Sequence, residues 1–297
     1  MTAGTPPARG SIYDLGYRHY EGVRLGRGHA FVALVRHSFR GVFGLGRPMS
    51  SKAFPLGFAA IAFLPAIVQL AIAALAPEDV EIFRPEDYFN VIQIVLSLFC
   101  AAVAPELIGR DQRTSTLPLY FSRALSRADY VSAKLVAMFA ALLLFILLPQ
   151  TAMFVGNSVT TSDSLAYLED NAADIPAILA SSLVVAVYMG AVSLALACLT
   201  ARRAIASAIV FATFLFLTIL GSVLVETASG SAADFLVLVS PLDILDGTTR
   251  WLFDAPAPED SDLAKVATAG YVYLLAAIAS SLVALAFLYR RYLRLSV

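Results

Sequence analysis

The sequence predicts an all-α membrane protein with six transmembrane helices, an N-terminal amphipathic elbow helix and both termini in the cytoplasm. Three observations lead there. Of 297 residues, 59% are hydrophobic and only 14% charged, whereas a soluble domain carries about a quarter charged residues. Mean hydropathy is +0.77. Six stretches free of Asp, Glu, Lys and Arg are each long enough to cross about 30 Å of hydrocarbon. Basic and acidic residues alternate between the connections that join those stretches. This composition excludes a disordered chain, a coiled coil and a disulfide-rich secreted module. It also argues against a soluble enzyme, because too little polar surface is available to face water.

The N-terminal segment, residues 1–53, holds eight Lys or Arg and two acids. The stretch 13–24 combines Tyr13, Tyr17 and Tyr20 with arginines and glycines. It reads either as a contact for a partner or headgroups, or as a loose tail. Its first 30 residues lack an apolar core, so no cleavable signal peptide is expected. Residues 29–47 read as an amphipathic helix. At 100° per residue, Phe31, Val35 and Phe39 share one sector, with Arg36, His37, Arg40 and Arg47 opposite. Such a helix lies at the membrane surface as an elbow before the first span; the alternative is a soluble helix packed on a partner protein. A bend is expected at residues 46–48, Gly-Arg-Pro.

The charge-free windows are 53–77, 88–105, 135–162, 175–201, 204–225 and 266–289, within a transmembrane domain of residues 54–289. They are read as helices because lipid offers no partner to open backbone groups. The N-terminal segment, the loop around 110–134, the Arg202–Arg203 turn and the tail at 290–297 hold 8, 5, 2 and 3 basic residues, 18 of the 21. The other connections hold Arg84, Arg250 and Lys265, with 17 of the 22 acids. The positive-inside rule therefore places both termini in the cytoplasm of a multi-pass cell-membrane protein.

No span centre carries an ionisable residue, so the buried carboxylates or lysines of an ion-coupled carrier are missing from the sequence. His19, His29 and His37 form no metal motif, and Cys100 and Cys198 sit in apolar runs as small buried hydrophobes. No metal site and no catalytic residue set is expected, nor is a nucleic-acid partner. Lys52, Lys134 and Lys265 follow Ser51, Ala133 and Ala264, so no Gly-Lys-Ser/Thr phosphate loop exists. Energy for any uphill movement must come from another polypeptide.

The inner loop, residues 106–129, is the most informative stretch. Leu117, Leu119, Tyr120, Phe121 and Leu125 are too apolar for a plain solvated loop. Thr116 is expected to cap a short helix with Pro118 in its first turn. Ser126 and Asp129 form a capping box that opens the third span. A short helix held between two spans is suited to a groove on a cytosolic protein. The outer segment, residues 227–265, is punctuated by Pro241 and Gly247 and reads as short interfacial or re-entrant helices, with Trp251 at headgroup level. It serves either as a gate or as a cap on helix ends.

The inner loop resembles the ABC-2 family of ABC-transporter permeases. That family shows an acidic residue and an arginine, then Gly-Thr-Leu, a Ser-Arg-Pro-Leu-Ser-Arg-like run, and a lysine opening the third span. Asp111, Thr116, Leu117, the run 122–127 and Lys134 take those places; Gln112, Ser115 and Ala124 stand where the arginine, glycine and proline would be. The resemblance implies a permease subunit, an exporter by family tendency, coupled to a separate cytosolic ATPase that holds ATP and Mg; this chain binds no cofactor itself. It implies a coupling set of Glu106, Arg110, Asp111, Arg113, Thr116, Leu117, Tyr120, Phe121, Arg123 and Arg127. It also implies pairing with a second copy or a paralogue across the first and fifth spans, through the small residues Ala62, Ala66, Ala204, Ala208 and Ala212. The alternative is a membrane scaffold or assembly factor that recruits cytosolic proteins through the same loop.

Overall fold

The computed structural model describes residues 22, 25–46, 49–75, 84–122, 125–161, 163–228 and 231–294. The tyrosines of the N-terminal stretch, Arg47, Pro48 and Arg123 lie outside the described residues. Among the described residues all regular structure is helical, and six helices are long and apolar enough to span a membrane: Lys52–Leu75, Tyr88–Arg113, Arg127–Thr160, Asp174–Ala197, Arg203–Thr227 and Gly270–Leu293.

Helix α1 (Arg27–Val42) covers the expected amphipathic helix, starting two residues and ending five residues early. It stops where Gly44 and Gly46 take φ of 63° and 88°, a left-handed conformation that glycine adopts without a Cβ penalty. Leu34, Ser38 and Val42 are buried, and Phe31, Val35 and Phe39 lean on the core, while Arg36 and Arg40 stay exposed. The apolar stripe is therefore directed largely at the protein. Phe43 stacks on Phe145 at 6.0 Å between centroids, and Phe145 meets Phe99 at 4.2 Å. Arg27 clamps Asp129 through two hydrogen bonds of 2.7 and 2.8 Å. That hydrogen-bonded carboxylate raises the Arg27 pKa further above its ordinary value.

Spans one to six are α2 (Met49–Leu75), α3 (Tyr88–Ala104) with its extension, α6 (Arg127–Thr160), α8 (Asp174–Ala197), α9 (Arg203–Thr227) and α12 (Gly270–Leu293). The middle of the bundle is α3, α6 and α8: in α8, 67% of the apolar window is buried, against 22% in each of α2, α9 and α12. Small residues explain the central place of α8. A Cβ on Gly190 would come within 2.6 Å of the Phe139 ring, and Ser182 donates to Gln150 Oε1 at 3.2 Å. Helices approach closely in lipid where side chains are small or share hydrogen bonds. Tyr88 ties α3 to α2 by donating to the Ala62 carbonyl at 3.0 Å.

The two ends of the bundle differ in charge. One, the basic end, gathers Arg110, Arg113, Arg127, Arg203 and Arg291, whose contacts tie together the helix ends there. The acidic end carries α7 (Ser164–Asp170), which the sequence reading did not anticipate, then α10 (Ser231–Leu236) and α11 (Pro241–Leu252). Helix α11 packs among α8, α9 and α12 and is buried almost throughout. Its Arg250 bonds Asp246 at 3.1 Å, Asp87 at 2.9 Å and the Pro256 carbonyl at 3.1 Å. A buried guanidinium with three acceptors meets the condition for holding charge away from water.

Candidate functional site

The basic end is built on an interruption in the second span. Helix α3 does not end at Ala104 but widens into a π turn, Pro105–Gly109, before resuming as α4 (Arg110–Arg113). Pro105 lacks the N–H for an ordinary helical bond, and single π turns inside α-helices are frequent at functional sites. The chain then reverses at Ser115, with φ of 51°. A left-handed serine is costly, and this is the position where the family pattern carries glycine. Helix α5 (Leu117–Phe121) follows, with Pro118 in its first turn as expected. Thr116 stands at the N-cap position but makes no side-chain cap. Its φ and ψ of −86° and −9° are already helical, and its hydroxyl donates instead to the Asp111 carbonyl at 3.3 Å. The Ser126–Asp129 capping box is present at the start of α6.

Asp111 is the centre of the knot. Its Oδ2 accepts from Lys134 Nζ and from the Tyr130 hydroxyl, each at 2.8 Å. The Lys134 side chain is 5% exposed, and its ammonium also sits 5.3 Å from the Tyr130 ring centroid. Tyr130 and Lys134 are four apart on α6, so one face of the third span presents both donors. Neighbouring contacts spread outward. Gln112 donates to the Tyr292 hydroxyl at 2.6 Å, and the Tyr130 and Tyr292 rings lie 5.6 Å apart. Arg127 donates to the Leu293 carbonyl at 2.9 Å and lies 5.9 Å from the Phe121 ring. Arg113 donates to the Ala201 carbonyl at 3.3 Å. Glu106 faces Arg110, Arg113 and Arg203 at 3.7, 3.6 and 3.7 Å. The α4–α5 turn is thus tied to spans three and six and to the turn that leads into span five.

The apolar residues of the inner loop are divided. Leu117 and Leu125 are buried within the protomer, Tyr120 and Phe121 pack over Tyr130, and Leu119 is 66% exposed. Most of the loop's apolar character thus goes into internal packing, leaving Leu119 beside Pro118 and the exposed Arg113–Ser115 turn as the outward surface. Lys134 stands in the family pattern; its pairing with Asp111, and the parts of Tyr130, Tyr292 and Arg203, are not announced by the sequence. The i, i+4 spacing of Tyr130 and Lys134 was the available signal.

The small residues separate into two groups. Ala204, Ala208 and Ala212 form an exposed line on α9, continued by Phe216, Ile219 and Val223. Ala62 and Ala66 are each 1% exposed and turn inward. They serve close packing inside the protomer, and the open face of α2 carries Ile61, Leu64 and Ile67 instead.

Comparison with known proteins agrees with this architecture. No curated protein matches the chain. Residues 24–297 match the family described as ABC-2 family transporter protein. The match takes in helix α1, all six candidate spans and the knot around Asp111, so the chain belongs to the ABC-2 family as its membrane-embedded permease component, without ATPase activity of its own.

Proposed function

We propose that this permease is an exporter subunit whose basic end faces the cytoplasm and receives the movement of a separate ATPase through the α4–α5 turn. The observation that carries the reading is the contrast within that turn. Its outer surface offers an exposed leucine, Leu119, beside an arginine-bearing bend, while its inner surface is bolted to spans three and six through Asp111 and Gln112 and to the turn before span five through Arg113. A short helix of this kind suits a groove on a cytosolic protein, and its rigid footing carries a push into the bundle. The positive-inside rule supports the cytoplasmic placement of this end and of both termini. A second copy or a paralogue would pair along the line of Ala204, Ala208 and Ala212, with the open face of α2 alongside. ATP and Mg belong to the ATPase.

The test is recovery of P-loop ATPase with the tagged permease from native membranes. Arg113→Glu combined with Leu119→Asp is expected to lower recovery at least about tenfold, while the protein still inserts and stays monodisperse. Undiminished recovery refutes coupling through this turn. Recovery of other cytosolic proteins in place of an ATPase favours the scaffold reading.

A further inference from the structure

Beside the knot lies a cavity of about 520 Å³, bounded by α1, the first turns of α2, the π turn and α4. Its lining combines two chemistries. Phe54, Phe58 and Phe99 form an aromatic wall, and Phe54, 71% exposed, continues that wall onto the outer surface of the first span. Arg110 and Arg203 also line it. Lys134 and Asp111 neutralise one another, and Glu106 is shared among three arginines, so the lining keeps a net positive charge.

The Ser38 hydroxyl is the second observation. Ser38 lines the cavity, is 2% exposed, and its Oγ has no hydrogen-bond partner. A helical serine ordinarily donates to the carbonyl four residues back, and a buried hydroxyl left unpaired keeps its desolvation cost without return. The Oγ itself is closed off from the cavity space, so an acceptor entering the cavity would remove that penalty by drawing the hydroxyl into another rotamer. A phosphate oxygen is an acceptor without protons to spare, and it matches the arginine fork. A neutral or cationic group would gain nothing from the lining's excess positive charge. The aromatic wall, open toward the outer surface of α2, gives an acyl chain a place to lie.

We propose that this cavity seats the phosphate-bearing headgroup of an anionic amphiphile, with its acyl chain along Phe54 and Phe58. The site wedges α1 against the π turn, so its occupant would brace the elbow helix against the end of span two. The proposal does not depend on which membrane face holds the basic end.

The full-length permease in nanodiscs of equal phosphatidylglycerol and phosphatidylcholine, released for native mass spectrometry, tests it. Phosphatidylglycerol is expected to be retained at least about threefold over phosphatidylcholine. Ser38→Leu, which fills the cavity, and Arg203→Gln, which removes a lining charge, should each abolish the preference, and Arg203→Lys should keep most of it. Excess inorganic phosphate separates the sources. Loss of the bound lipid assigns the site to the phosphate group alone; persistence assigns it to the whole lipid. Equal retention of the two lipids in the wild type overturns the proposal, as does an unchanged preference in both Ser38→Leu and Arg203→Gln. ATPase recovery is a separate readout, so failure of the lipid site leaves the coupling reading standing, and the reverse.

Discussion

Removing Lys134 while leaving Asp111 in place is the sharpest perturbation of the basic end. At 2.8 Å, the pair's attraction is about 6 kcal/mol at an effective dielectric constant of about 20. Desolvation of both ions offsets much of this, so the net worth of the pair is smaller. Breaking it from one side is a different matter, because the attraction is lost while the desolvation of Asp111 remains. Lys134→Met should therefore destabilise by about 3–5 kcal/mol, with only the Tyr130 hydroxyl left to compensate the carboxylate. At about 2 °C per kcal/mol, the low end for a chain of this size, that is a fall of roughly 6–10 °C in melting temperature. The double variant Asp111→Asn with Lys134→Met removes both charges and should recover at least half of the loss. Thermal unfolding of the purified protein in one detergent, for the wild type, both single variants and the double, closes the cycle. A Lys134→Met protein as stable as the wild type, or a double variant no better than the worse single, refutes the argument that Asp111 and Lys134 hold the knot as a buried ion pair.

Three further outcomes follow from local geometry. Ser115→Gly should raise stability by about 1 kcal/mol, since it removes a left-handed serine at the cost of some chain entropy; the melting temperature checks it. Gly247→Ala should lower stability by about 1–2 kcal/mol, because a Cβ there lies 2.7 Å from Cγ of the buried Tyr273 ring and overpacking outweighs the gain in helix propensity. Burial pushes the Asp243 carboxyl up to about 6 from an ordinary value of 3.8. A carboxyl raised on folding contributes stability below about pH 4 that is lost as pH climbs past 6, up to about 3 kcal/mol for this group. Asp243→Asn should therefore melt higher than the wild type near pH 7.5, with the gap closing toward pH 4; a gap constant across that range contradicts the assignment.

The six spans were legible because runs without charge have one reading in lipid, and the capping box at Ser126 and Asp129 was legible because a three-residue spacing suffices to form it. The limits of sequence reasoning appear where partners are distant in the chain. Gln112 meets Tyr292 across 180 positions, and no local pattern announces that contact. Ala62 and Ala66 show the same limit from the other side: four-residue spacing says that a helix has a smooth face but not which neighbour uses it. Leu117 and Leu119, two residues apart on a short helix, took opposite roles for a similar reason. The burial of α11 was only half visible, since Pro241 and Gly247 mark breaks without stating depth.

The π turn at Pro105–Gly109 has a consequence for how span two is read from end to end. Each i to i+5 bond encloses one residue more than an α-helical bond, and one residue corresponds to about 100° of rotation about the axis. The wide turn thus gives the two halves of the span independent phase. Residues up to Ala104 set which side faces lipid; residues beyond Gly109 set which side Asp111 turns toward Lys134. Substitutions that re-aim the embedded half need not re-aim the arginines, and the part of the chain that meets its surroundings can diverge while the part that grips its neighbours stays fixed.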